Sequence, residues 1–311
     1  MHPAFSILFF TTLAGTAQGL VVLLALCVLF GVTLAPGFVP MALLVAEILL
    51  LAGLASSFLH LGRKGRAWRA VLMWRSSWMS REVIVLPAYI ALVALWWLAL
   101  RTGVTFAWMP VALVLGSLGL WYCTAMIYAC LRFIEEWAHP LTVVNFTLIG
   151  LSSGLVLGCA LGALAGEVVL VQVASPWALA ATLAAWFTRN LALRRNATLR
   201  HKSTLQSATG IHAPKLVQKS MGMSAGSFNT REFFHGRTLA LLKQVKLGFI
   251  VLCFALPVFF ALIALLGLTN EDAALPWALA VLCQVPGLIA ERWFFFAQAK
   301  HPQNLYYQVV S

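Results

Sequence analysis

Three residues flanking one polar connection carry the side chains that a two-electron, two-proton reaction requires. His60 closes an apolar run and is followed at once by Leu61-Gly62-Arg63; Arg66 lies six residues beyond it, and Glu82 opens the next apolar run. Reducing a quinone or oxidising a quinol moves two protons with two electrons. Its pocket therefore needs a titratable group near a carbonyl oxygen, a proton path and an apolar slot for the ring. His60 fits the first requirement, Glu82 the second, and Trp68, Trp74 and Trp78 part of the third. Arg66 would stabilise charge developing on a quinone oxygen. A histidine at a helix end also serves as a simple partner of the helix C-terminus, and residue types alone leave both readings open.

Glu47 is an acid within an apolar run, roughly 12 Å from its far end at about 1.5 Å per residue. It reads either as a proton relay or as a structural acid bonded to a neighbouring helix. The histidines His2, His139, His201, His212, His235 and His301 fall at termini or in connections. A haem between helices needs facing axial ligands at membrane depth, so no haem is expected. The six cysteines form no CxxC pair; they read as small packing residues, with neither metal nor disulfide implied.

The elements that must position these groups are membrane spans. The chain of 311 residues is 62% hydrophobic and only 10% charged, with a mean hydropathy of +0.91, which excludes a soluble domain. Apolar stretches of about 20 residues, the length that crosses the hydrocarbon, occur at roughly 7–30, 39–60, 83–100, 106–130, 142–165, 172–190, 247–268 and 276–298. The expected fold is an all-α polytopic membrane protein over residues 1–311, a bundle of eight transmembrane helices. The first stretch has neither a basic start nor a small-residue cleavage site, so it reads as a retained helix.

Charge orients the bundle. Of 21 Lys and Arg residues, all but Arg101 fall on the side that holds both termini and the connections 61–82, 131–141 and 189–246. Basic residues are retained in the cytoplasm during insertion, so both termini are expected to be cytoplasmic. The net charge of +12 on one face suits anionic lipid headgroups and a docked protein; no nucleic-acid role is read into it. Arginines and tryptophans interleave in 61–82 as in an amphipathic turn lying in the interface. The long connection 189–246 mixes aromatics, glycines and both charge signs, unlike a solvating tail. Both segments are expected to dock a partner, through Arg63, Lys64, Arg69, Arg75, Arg231 and Phe233.

The combination of His60-Leu61-Gly62, Arg66-Ala67 and Ser80-Arg81-Glu82, after a helix that begins MHPAFSILFFTTLAGTAQGL and with Glu291-Arg292 near the end of the last span, resembles the membrane-anchor subunit of the dimethyl sulfoxide reductase family of molybdoenzymes. The resemblance covers the whole chain and departs from the family pattern at Lys64, where a proline is common. It implies a heterotrimer of the bacterial inner membrane: a molybdopterin catalytic subunit, an iron–sulfur subunit and this anchor, which holds no cofactor and binds ubiquinone or menaquinone. It also implies quinol-binding roles for His60, Gly62, Arg66 and Glu82. The MHPAFS start, RSSWMSRE and GSFNTREFFHG, with the quinone loop on the basic side, look more like the anchors of cytoplasmic sulfite-oxidising complexes, which pass electrons from sulfite to quinone. The alternatives are an anchor that oxidises quinol for a dimethyl sulfoxide or polysulfide-type reductase and, more distantly, a secondary transporter in which Pro257 and Pro286 break the last two helices.

Overall fold

The computed structural model describes residues 2–59, 61–200, 202–217, 237–267 and 273–302. Among them eight helices are long and apolar enough to cross a membrane, and there is no strand. They are α1 (Phe5–Leu29), α2 (Phe38–Leu59), α3 (Trp78–Arg101), α4 (Met109–Ala129), α5 (Pro140–Leu164), α6 (Val168–Thr198), α8 (Leu239–Leu266) and α9 (Ala274–Ala297); a short α7 (Leu205–Thr209) lies between α6 and α8. In lipid every backbone N–H and C=O must be satisfied within the chain, which is why apolar runs of this length become helices.

The helices form two four-membered bundles. Helices α1 to α4 pack in a ring, α5, α6, α8 and α9 in a second, and the two meet along α1 and α5. These two central helices are the most buried of the eight, with 67% and 61% of their apolar windows inside. Lipid tails are as apolar as leucine, so such packing depends on close backbone approach. Gly150, Gly154, Gly158 and Gly162 recur every fourth residue of α5. A Cβ on Gly154 would collide with the backbone of Gly19 and Leu20 on α1, and one on Gly19 with the carbonyl of Gly150.

The connections on the face away from the termini are tight. Gly31, Gly103 and Gly166, just past α1, α3 and α5, all take positive φ of 68–75°, the left-handed conformation that ends a helix at little cost only in glycine. Glu167 Oε1 accepts the Ala35 N–H at 3.0 Å and ties two of these turns together.

On the basic face, α3, α6 and α8 all extend several residues further than hydropathy indicates, α8 starting at Leu239 against the expected 247. Helix α6 continues to Thr198, well past the expected boundary at 190, because polar residues beyond that boundary and just before it find partners. Thr188 Oγ1 donates to Asn145 Oδ1 at 2.9 Å, Asn190 Nδ2 to Trp186 O at 2.9 Å, and Arg189 pairs with Glu291. Helix α3 starts at Trp78, capped by Ser77, so Trp78, Arg81 and Glu82 belong to the helix and not to the connection before it.

Helix α8 crosses without a break despite Pro257. A π segment over Ile250–Ala255 precedes the proline, as is common where the i→i−4 ladder is disturbed. Proline's missing N–H leaves the Cys253 carbonyl without its helical donor; Gln284 Nε2 of α9 donates to it at 3.5 Å. Gly287 permits this approach, since a Cβ there would strike the Cys253 backbone. Pro286 likewise lies within a continuous α9, so neither proline breaks its span.

Candidate functional site

At the basic end of the first bundle, α1 to α4 and the 61–77 connection enclose a cavity of about 380 Å³. Ile7 and Phe10 of α1, Leu54 and Phe58 of α2, Met79, Val83 and Leu86 of α3, and Ile127 and Tyr128 of α4 make its walls apolar. Its charged lining residues are Glu82, Arg63 and Arg66. Glu82 is 7% exposed, and one of its oxygens accepts a hydrogen bond from Thr124 Oγ1 of α4. Arg63 and Arg66 are exposed, so they stand at the mouth and Glu82 stands inside.

The mouth has its own support. Residues Lys64–Met73 form a 3-10 helix without a buried residue. Arg81 closes its far end: Nε donates to Trp74 O at 2.9 Å and Nη2 to Arg75 O at 2.8 Å, while the guanidinium lies 4.0 Å from the Trp78 ring centre. Carbonyls that would otherwise be unpaired are thus satisfied by a residue of α3, the helix that carries Glu82.

The structure brings Arg66 and Glu82 of the expected site residues to one cavity. His60 lies outside the described residues, but Phe58 and Leu61, on either side of it in sequence, both line the cavity. Gly62 is exposed, and a Cβ there would meet nothing within 4 Å, so packing does not require glycine at this position.

The tryptophans stand outside the slot. Trp68 and Trp74 are 63% and 52% exposed, each beside an arginine of the same segment (Arg69 and Arg75), and Trp78 packs edge-on against Tyr122 at 5.3 Å. Alternation of Trp and Arg marks an interfacial segment, and the ring slot is built instead by aliphatic and aromatic residues of all four helices. Glu47 is a residue of α2 outside the cavity lining; its Oε2 is buried and has no hydrogen-bond partner. Arg63, Lys64, Arg69 and Arg75 are exposed on the basic face, whereas Arg231 and Phe233 lie outside the described residues.

Two features were not assigned to the site in the sequence. Tyr128 joins the cavity to a dense aromatic cluster: it stacks on Phe146 at 5.6 Å and meets Trp137, Phe295 and Phe296 edge-on at 5.3–5.5 Å. Beyond Phe146, Arg292 lies 3.7 Å from that ring's centre, and Glu291 pairs with Arg189 at 2.6 Å. These three charged residues are at most 4% exposed. The readable signal was the apolar triplet Leu191-Ala192-Leu193 after Arg189-Asn190, which continues the helix through a charge.

A charged apolar-walled cavity opening at the basic face of an eight-span protein agrees with the family resemblance, and comparison decides it. The model of the DMSO reductase anchor subunit (DmsC) family matches residues 1–297. The chain belongs to that family. As a DmsC-type protein it is a membrane-anchor subunit of a molybdoenzyme complex, with catalytic and electron-transfer partners. It is also 47% identical over 332 aligned positions, covering all of both chains, to a sulfite dehydrogenase subunit of Allochromatium vinosum.

Proposed function

We propose that this anchor binds quinone in the cavity at Glu82 and exchanges electrons between it and an iron–sulfur subunit docked on the basic face. The observation that carries the reading is a buried acid inside an apolar cavity whose mouth holds two arginines. The walls suit a quinone ring and its tail, because binding sites for such ligands are mostly apolar with a few placed polar groups. The arginines at the mouth favour negative charge on the oxygen that receives electrons first. Glu82 and His60 exchange the two protons that accompany two electrons. Iron–sulfur clusters and molybdopterin, held by the partners, supply the electron path and the chemistry at sulfur.

The full-length likeness to a sulfite dehydrogenase subunit favours electron flow from sulfite to quinone; the family's namesake reaction, reduction of dimethyl sulfoxide, would run the anchor in the opposite direction. The concentration of Lys and Arg on one face favours a cytoplasmic position for that face, and hence for both termini and the partners, in the inner membrane of a bacterium. Exposed Arg63, Lys64, Arg69 and Arg75, with Arg231 and Phe233 of the long connection, supply the docking surface. With protons taken from and returned to this side, the reaction builds no proton gradient, and Glu47 has a structural role in α2.

The test is sulfite-dependent reduction of added quinone by membranes carrying the whole complex. His60→Ala and Glu82→Gln should each lower turnover by about 100-fold or more, the usual contribution of a general acid–base, while the catalytic subunits stay membrane-bound. Unchanged turnover in both variants, with attachment intact, would place the quinone elsewhere.

A further inference from the structure

The second bundle holds a polar site of its own, separate from the quinone cavity, at the same end of the molecule. Glu291 and Arg292 on α9 and Arg189 on α6 are 1–4% exposed. Arg189 Nε stands 2.6 Å from Glu291 Oε1, close enough for an ion pair but off the axis of a hydrogen bond, and Arg292 Nη1 is 3.7 Å from Glu291 Oε2. Among the polar atoms here without a hydrogen-bond partner are Glu291 Oε2, Arg189 Nη2 and Gln298 Nε2, the last just past the end of α9. All three residues line one pocket of about 10 Å³.

Size and chemistry identify the occupant. About 10–15 Å³ by this measure holds roughly one water, and an internal water makes about three hydrogen bonds to polar groups that would otherwise be unsatisfied. These three atoms are two donors and one acceptor, the complement of a water that accepts two hydrogen bonds and donates one. A small anion would face the acids Glu291 and Glu136 of the lining, and a cation would face its arginines Arg189, Arg195 and Arg292. We propose that this pocket is a binding site for a single internal water, which accepts from Arg189 Nη2 and Gln298 Nε2 and donates to Glu291 Oε2.

The consequence reaches the first bundle. Buried charges are tolerated when each is paired and hydrogen-bonded, and the water completes that condition for the cluster joining α6 to α9. Arg292 in turn lies over Phe146, on which the cavity residue Tyr128 stacks. The water therefore helps to hold the back wall of the cavity. The site itself does not depend on the quinone reading.

Radiolytic hydroxyl labelling of the purified complex tests this directly, because an internal water generates its radical beside the side chains it touches. Phe295 and Phe146 line the pocket and are 5% and 3% exposed. Both should be oxidised, and after mixing with ¹⁸O-water their label should acquire ¹⁸O far more slowly than that of exposed Phe133. Gln298→Met removes one donor, and Ala192→Val fills the pocket from α6; each should lower the label at Phe295 and Phe146 several-fold while Phe133 is unchanged. An unlabelled wild type, or full labelling in either variant that assembles with its partners, overturns the site. The readout is labelling and not quinone turnover, so this inference and the quinone reading can fail separately.

Discussion

Glu82 and His139 occupy similar places, each beside the basic end of a helix, and their surroundings give them different work. Glu82 is walled in by apolar side chains and holds one hydrogen bond, from Thr124. His139 lies before the first turn of α5, where its Nδ1 accepts the Leu141 N–H at 3.1 Å. Desolvation, and then the nearby Arg195, hold its pKa below the ordinary 6.5. The folded protein thus binds fewer protons at this site than the unfolded chain does. The cap is fully present above about pH 6.5 and is lost as pH falls below that value, since protonated Nδ1 cannot accept. Hydrogen exchange at Leu141, corrected for the intrinsic pH effect, should show protection falling between pH 7 and pH 5. In His139→Asn, which keeps an N-cap acceptor that does not titrate in this range, protection should stay level.

Among the elements, α1 and α5 decide whether the two bundles meet. Their contact runs through glycine backbone, Gly19 against Gly150 and Gly154, with no room for a Cβ on either side. Gly154→Val would force the helices apart and should cost about 2 kcal/mol or more, as overpacking a tight core does. Thermal unfolding in detergent should show the loss, with Gly119→Ala as a control, because a Cβ at Gly119 meets nothing within 4 Å. The 3-10 helix over Lys64–Met73 is a contrasting element. Nothing in it is buried, and Arg81 holds its end from α3. It is placed by its neighbours and not by a core of its own, which suits a segment that presents side chains to a partner.

The whole molecule is electrostatically one-sided: its net charge is +12, and all but one of its 21 Lys and Arg residues belong to the side where the cavity opens. A docking surface made of exposed arginine and lysine acts mainly on encounter and is screened by salt beyond about 8 Å at physiological ionic strength. Replacing Arg63, Lys64, Arg69 and Arg75 together by Gln should increase release of the catalytic subunits from washed membranes several-fold. Raising salt should release more of them from wild type and little more from the variant. Equal retention at every salt concentration would move the docking surface to the long connection after α6.

Hydropathy and charge are properties of segments, and what depends on them was legible along the chain. The eight spans, the basic face, and the neighbourhood of Arg66 and Glu82 follow from where apolar runs begin and end, because the bilayer acts on each run separately. Even there, polar residues misled at the margins: Arg189 reads as the end of a span until Glu291, more than a hundred residues later, is seen to pair with it. The slot is another case, since Trp68, Trp74 and Trp78 are close to the site in sequence but the walls come from four different helices. Which helices touch cannot be read from hydropathy, since to lipid one apolar face resembles another. Tertiary structure alone decided the two bundles, the glycine seam between α1 and α5, the Gln284 donor to the Cys253 carbonyl before Pro257, and the buried charges behind the cavity. Each of these depends on atoms brought together from distant spans.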